Sequence, residues 1–166
     1  IIFSVKPGYL APNSNADQVI DLKGKTVLPG LIDMHVHIES EYSAETNLNR
    51  FIMNESDIAF HSVVNAKKTL LAGFTTVRDL GGTGVNISLR NAVNNGLIDG
   101  PRIYAAGKSI ATTGGHADPT NGMKKNLMET PGPTQGVVNG VDEARQAVRQ
   151  RYKDGSDMIK ITATGG

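Results

Sequence analysis

The apolar positions of this chain switch between two periods. Val19-Ile20-Asp21-Leu22 and Thr26-Val27-Leu28 flank the turn residues Lys23-Gly24-Lys25 and read as a β-hairpin. Pro29-Gly30 breaks the chain, and from Leu31 to Ile38 the period is two. Ile32, Met34, Val36 and Ile38 share one face of a strand, and Leu31, Asp33, His35 and His37 share the other. Helical spacing comes next. Ala59, Val63, Ala66 and Leu70 predict a helix with Ser56 as its N-cap and Gly73 just past its end. The β-branched run Phe74 to Asp79 predicts a strand that ends at Gly81-Gly82. A weaker helix is expected over 84–96, with Leu89, Ala92 and Val93 on one side, then a short strand over 102–106. Gly107 to Gly140 is rich in Gly, Pro and Asn and reads as a long functional or mobile loop. Val141, Ala144, Val148 and Tyr152 mark the apolar stripe of a last helix, with Gly155 after it, and Asp157 to Thr162 reads as a last strand.

Strands alternating with helices predict a parallel α/β fold. A closed eight-stranded barrel takes roughly 250 residues, and 30–166 is about half of that. The alternative is a doubly wound open sheet. Its Gly-rich phosphate turn after the first strand is missing, and His-x-His stands in that place.

Composition narrows the function. The formal charge of +1 comes without a basic stripe, so neither nucleic acid nor an anionic membrane is expected as a partner. No apolar run is long enough for a transmembrane helix. Cysteine is absent, which excludes disulfides, thiolate zinc sites, iron–sulfur clusters and a Cys nucleophile. The chain opens on Ile1-Ile2-Phe3 with no Met and no signal-peptide pattern. Both ends read as cut, and a cytoplasmic location is the expectation.

Three features carry chemistry. His35 and His37, two residues apart at the C-terminal end of a strand, can bind one metal together, and that rim is where barrel enzymes place their sites. Their face is expected to look into a barrel lumen, where an unpaired imidazole is costly. The alternative is a pair of surface or satisfied core histidines. Lys160 sits between Ile159 and Ile161 in a predicted internal strand. A buried amine of depressed pKa can take up CO₂ to form a carbamate whose two oxygens bridge two ions. A lysine that snorkels or pairs with a carboxylate is the other reading. His116, in Gly114-Gly115-His116-Ala117-Asp118 of the long loop, can bind substrate, polarise a carbonyl, or stand idle. Asp79 is a candidate to orient a ligand histidine, unless it simply pairs with Arg78. His61, inside the first predicted helix, reads as structural or exposed.

Four ordered motifs resemble the amidohydrolase superfamily. Val27 to His37 is similar to its first-strand motif, and Ala72 to Asp79 to its second strand. Gly114 to Asp118 and Gly155 to Ile161 resemble the third-loop and fourth-strand motifs of one branch. That branch holds the metal-dependent Xaa-Pro dipeptidases (prolidases), the Xaa-Arg/Lys carboxypeptidases and, more distantly, the imidazolonepropionases. The resemblance implies a (β/α)8 TIM barrel joined to a small β-sandwich. Residues 1–29 would be part of that sandwich and 30–166 the N-terminal half of the barrel. It implies two divalent ions, usually zinc, with His35 and His37 on the more buried one and carboxylated Lys160 bridging both. It implies a bridging hydroxide that attacks the amide carbonyl of a dipeptide or N-acyl amino acid. His116 would contact the substrate, and a homo-oligomer is expected. The family pattern also needs two histidines from the fifth and sixth strands and an Asp from the eighth, which these residues do not include. The 166 residues alone are therefore expected to be inactive. Ala117 stands where the branch often has Gly. A mononuclear cyclic-amide hydrolase or deaminase of the imidazolonepropionase kind, and a catalytically dead scaffold homologue, are the competing readings.

Overall fold

A computed structural model describes residues 4–8, 14 and 18–164. Ile1-Ile2-Phe3, parts of the segment 9–17, and Gly165-Gly166 lie outside the described residues. The elements run β1 (Leu31–Val36), α1 (Thr46–Ile52), α2 (Glu55–Leu71), β2 (Phe74–Asp79), α3 (Val85–Asn94), β3 (Arg102–Ala105) and α4 (Val141–Asp154). Only α1 has no counterpart in the periodicity. The start of α2 is displaced from the expected one: Asn54, not Ser56, is the N-cap, because the Asp57 carboxylate reaches back to accept from the Asn54 amide at 2.8 Å.

The three strands form one parallel sheet in the order β1-β2-β3. The hydrogen bonds made beyond β3 separate the two parallel architectures. The Asp157 amide donates to Ala105 O at 2.9 Å, the Ile110 amide to Lys160 O at 2.8 Å, and the Thr162 amide back to Ile110 O at 2.9 Å. The fourth β-prone run thus lies beside the third, continuing the order. A nucleotide-binding doubly wound sheet reverses at this point and places its fourth strand next to the first. The sequential order β1-β2-β3 with the 157–162 segment beside β3 is consistent with part of a barrel. The expected strand over 157–162 is, however, reduced to one parallel bridge, Ile110 with Ile161. With neighbours on one side only, Ile159 and Ile161 stay exposed rather than buried.

Two apolar clusters hold the shell together. Ile38, Ala66, Val77, Ile87, Leu89, Ile103 and Ala105 pack between the sheet and the helices α2 and α3, with Val36, Val63 and Phe74 against them. Ile110, Val138 and Ala147 form the second cluster, beneath α4. The predicted stripe on α4 is corrected in all but Ala144, which packs against the second cluster. Val141, Val148 and Tyr152 are exposed, and α4 buries Ala147 and Arg151 instead. The Arg151 guanidinium donates to Lys108 O and, at 2.6 Å, to Thr134 O, so it straps both ends of the long loop to the helix. A charged residue with carbonyl partners has displaced an apolar one from the core, which periodicity cannot register.

That loop is correspondingly less free than its composition suggests. Ala111 bridges Val137 in parallel, with the Ala111 amide donating to Gly136 O at 2.9 Å. The hairpin expected at 19–28 exists only as its turn. The Lys25 amide donates to Leu22 O and the Lys23 amide to the Asp21 carboxylate, while Val19, Ile20, Val27 and Leu28 remain exposed. No ladder joins these runs among the described residues.

Candidate functional site

The sheet presents its C-terminal rim through the ends of β1 and β2. The β1–β2 register shifts between Asp33 and Val36, an irregularity that spans His35. Two side chains take up backbone groups there. The Asp33 carboxylate accepts from the His35 amide at 2.9 Å, and Arg78 Nε donates to Met34 O at 2.7 Å. Arg78 is thus engaged with backbone and does not pair with Asp79.

His35 and His37 emerge on the same side, as the alternation predicts. Their ring centroids are 5.5 Å apart with the planes at 66°. Both remain exposed, and Ile32 and Met34 on the opposite face are exposed too. The cost of a buried imidazole therefore does not constrain them here. What constrains His37 is a hydrogen bond from Nδ1 to Gly81 O at 2.9 Å. A carbonyl can only accept, so Nδ1 carries a proton; in the neutral ring Nε2 then presents its lone pair, the arrangement of a metal-binding imidazole.

Asp79 does not touch either ring. Its fully buried carboxylate accepts from the Ile38 amide at 3.0 Å, the Gly81 amide at 3.1 Å and Asn86 Nδ2 at 3.0 Å. Burial pushes its pKa up and the neighbouring Glu39 charge adds to this, against the three donors. Glu39 is buried as well. Its two oxygens accept from the amides of Thr83 at 2.7 Å and Asn86 at 2.8 Å, at the first turn of α3, where the helix dipole favours a negative charge. Gly82 leaves room beside it, since a Cβ there would meet the Glu39 carboxylate in its present place.

Lys160 lies in the segment beyond β3, at the opposite edge of the sheet from β1. It is half-buried, and among the described residues its ammonium has no hydrogen bond or ion pair. His116 is exposed at a turn closed by the Asp118 amide donating to Gly115 O at 2.9 Å. The turn is braced by buried Asp118, which accepts from the Gly114 amide at 2.8 Å and from the Thr120 hydroxyl at 2.7 Å and amide at 2.9 Å. Burial raises the Asp118 pKa, but these donors outweigh it and hold the carboxyl below its ordinary value. A depressed carboxyl contributes stability that is present above its unfolded pKa and is lost as pH falls through the folded one. Asp118→Asn should cost about 1–3 kcal/mol at neutral pH and flatten the acid limb of stability against pH. Parallel acid limbs in wild type and variant, measured by denaturant titration, would contradict this. His61 is exposed on α2, as expected.

The donor set fits part of a metal centre rather than a whole one. Among the described residues no three His, Cys, Asp or Glu side chains gather to hold an ion. Two imidazoles with one Nε2 already oriented, plus an unpartnered amine, are the groups this chain offers. Sequence reasoning missed Glu39, Asn86 and the Gly81 carbonyl. Glu39 alone left a trace, standing two residues beyond His37 on the alternation.

Comparison with known proteins supplies the wider frame. The chain matches a solved Xaa-Pro dipeptidase with methionine bound in its active site at 53% identity and a TM-score of 0.86, over 96% of this chain and 39% of that one. A prolidase complexed with N-methylphosphonate-L-proline matches at 38% identity and a TM-score of 0.77, over 97% of this chain and 38% of that one. The ochratoxinase of Aspergillus niger is 29% identical over 84% of this chain and 31% of its own length. The chain therefore spans well under half the length of these relatives. A model of the amidohydrolase family matches residues 26–166, nearly all of the sheet, helices and candidate site described above, and the chain belongs to the amidohydrolase family.

Proposed function

We propose that these residues form the N-terminal part of a binuclear, zinc-dependent amidohydrolase that cleaves the amide bond of an Xaa-Pro dipeptide or a related N-acyl amino acid. The likeness to the Xaa-Pro dipeptidase, 53% identical across 96% of the chain, is the observation that carries this reading. In the whole protein the shell would close into an eight-stranded barrel, which would cover the exposed flanks of β1 and of the segment 157–162. Two divalent ions in such a site supply Lewis acidity and make water acidic enough to ionise near neutral pH.

The chain's own residues have distinct tasks in that scheme. His35 and His37 bring two imidazoles to one rim, and the Gly81 carbonyl keeps the His37 ring oriented. Lys160, with its amine unengaged, condenses with CO₂ to a carbamate and releases a proton, giving an anionic bridge. His116, held out on the Asp118-braced turn, hydrogen-bonds the substrate without binding metal.

The test is kinetic and analytical together. The full-length protein should contain two ions per chain and show its highest kcat/KM on Xaa-Pro dipeptides, compared with Xaa-Arg dipeptides and N-acetyl amino acids. His116→Asn should raise KM or lower kcat with both ions retained. One ion per chain with an unmodified Lys160 would point instead to a mononuclear cyclic-amide hydrolase or deaminase. Absence of both metal and turnover would mark a scaffold.

A further inference from the structure

One carboxylate accepts from the backbone next to His37 and from the residue that His37 itself contacts. Asp79 Oδ2 accepts from the amide of Ile38, the residue next to His37. Asp79 Oδ1 accepts from the amide of Gly81, the residue whose carbonyl receives His37 Nδ1–H. The Gly81 peptide is further confined: the Leu80 amide donates to Val36 O, Ser109 Oγ donates to Leu80 O, and the Gly82 amide donates to Gly107 O. Gly81 itself adopts φ 157°, and a Cβ there would come within 2.6 Å of Ser109 Oγ and 3.4 Å of His37 Cε1. Asn86 joins this carboxylate to the second buried acid, giving Nδ2–H to Asp79 and its backbone amide to Glu39.

We propose that Asp79 is a positioning residue that sets the His37 imidazole through the Gly81 peptide, with Asn86 and Glu39 locking the unit to the start of α3. The assignment rests on the reading of His37 as a metal ligand. Ordinarily an acid that serves a ligand histidine contacts the ring; here it holds the two backbone groups between which the ring is fixed. The carbonyl, being acceptor-only, then dictates the protonated nitrogen, and Nε2 is left to face an ion. A rigid, buried relay suits this task because the ring lies at an exposed rim where little else restrains it.

The test uses the zinc-loaded full-length protein with two readouts. Zinc affinity is measured by competition with a chelator, and exchange of the His37 Nδ1 proton by ¹⁵N-edited NMR. In the unmodified protein that proton should be present and slow to exchange. Asp79→Asn, which places an amide N–H against one of the present donors, should weaken zinc binding by roughly 10–100-fold and speed that exchange. Val77→Ala, a buried neighbour on β2 outside the relay, should lower thermal stability and change neither readout. Should Asp79→Asn fail to fold, Asn86→Ala, which removes one of the three donors, should move both readouts in the same direction by less. A proton found on Nε2 in the unmodified protein overturns the proposal. So do wild-type readouts in the Asp79 and Asn86 variants, or equal effects from Val77→Ala. His37→Ala separates the two levels: if it leaves zinc affinity intact, the metal-ligand reading fails on its own, whatever the Nδ1 proton does in the Asp79 variant.

Discussion

Replacing His35 and His37 together by alanine in the full-length protein is expected to remove bound metal and reduce turnover to background. The two rings lie 5.5 Å apart on one side of β1, and Nε2 of His37 is already directed away from its carbonyl partner. Neither ring contributes to the buried clusters, so their loss should leave folding nearly untouched. The loss in kcat should exceed the roughly 10²–10³-fold that follows removal of a single oxyanion donor, because the ions themselves go. Elemental analysis of the purified double variant checks this directly. Metal retained at the wild-type ratio, with a native thermal transition, would contradict the site.

The second large effect is at Lys160. Alanine there removes the amine that the proposed carbamate requires, and activity should fall to background. Added formate or acetate should restore part of it, since a small carboxylate can enter the space and offer two oxygens in place of the carbamate. Lys160→Arg is the informative companion. It keeps the positive charge but cannot form the carbamate, so it should be as inactive as alanine and not recover with carboxylate. Full activity in either variant would exclude a bridging role. The backbone at this position is engaged independently, through the Ile110 amide to Lys160 O, so the segment should keep its place when the side chain is cut.

Much of this molecule is legible in the residue pattern. The period-two run from Leu31 to Ile38 places both histidines on one side of a strand, because adjacent side chains on a pleated backbone must point oppositely. The β-branched run Phe74 to Asp79 and the apolar spacing from Ala59 to Leu70 yield β2 and α2 for equally local reasons. Gly73 and Gly155 follow α2 and α4 where expected. The identity of the chemistry-bearing residues is likewise a property of the chain, and the absence of cysteine leaves imidazole, carboxylate and amine as the available donors.

Only the tertiary structure decides how those groups are held. Asp79 reads from sequence as a partner for a ring or for Arg78, yet it grips the amide of Ile38, which the crossing from β1 to β2 brings beside it, together with that of Gly81 two residues on. Arg151 is not marked out by the residue pattern, yet it is 1% exposed, with two loop carbonyls converging on it. Asp157 to Thr162 has strand composition but forms a single bridge, since a ladder depends on neighbours as much as on its own residues. Local preferences are set by each residue's own sterics and hydrogen-bonding capacity. Burial, the choice of hydrogen-bond partner and the orientation of His37 depend on which distant segments meet at the same place.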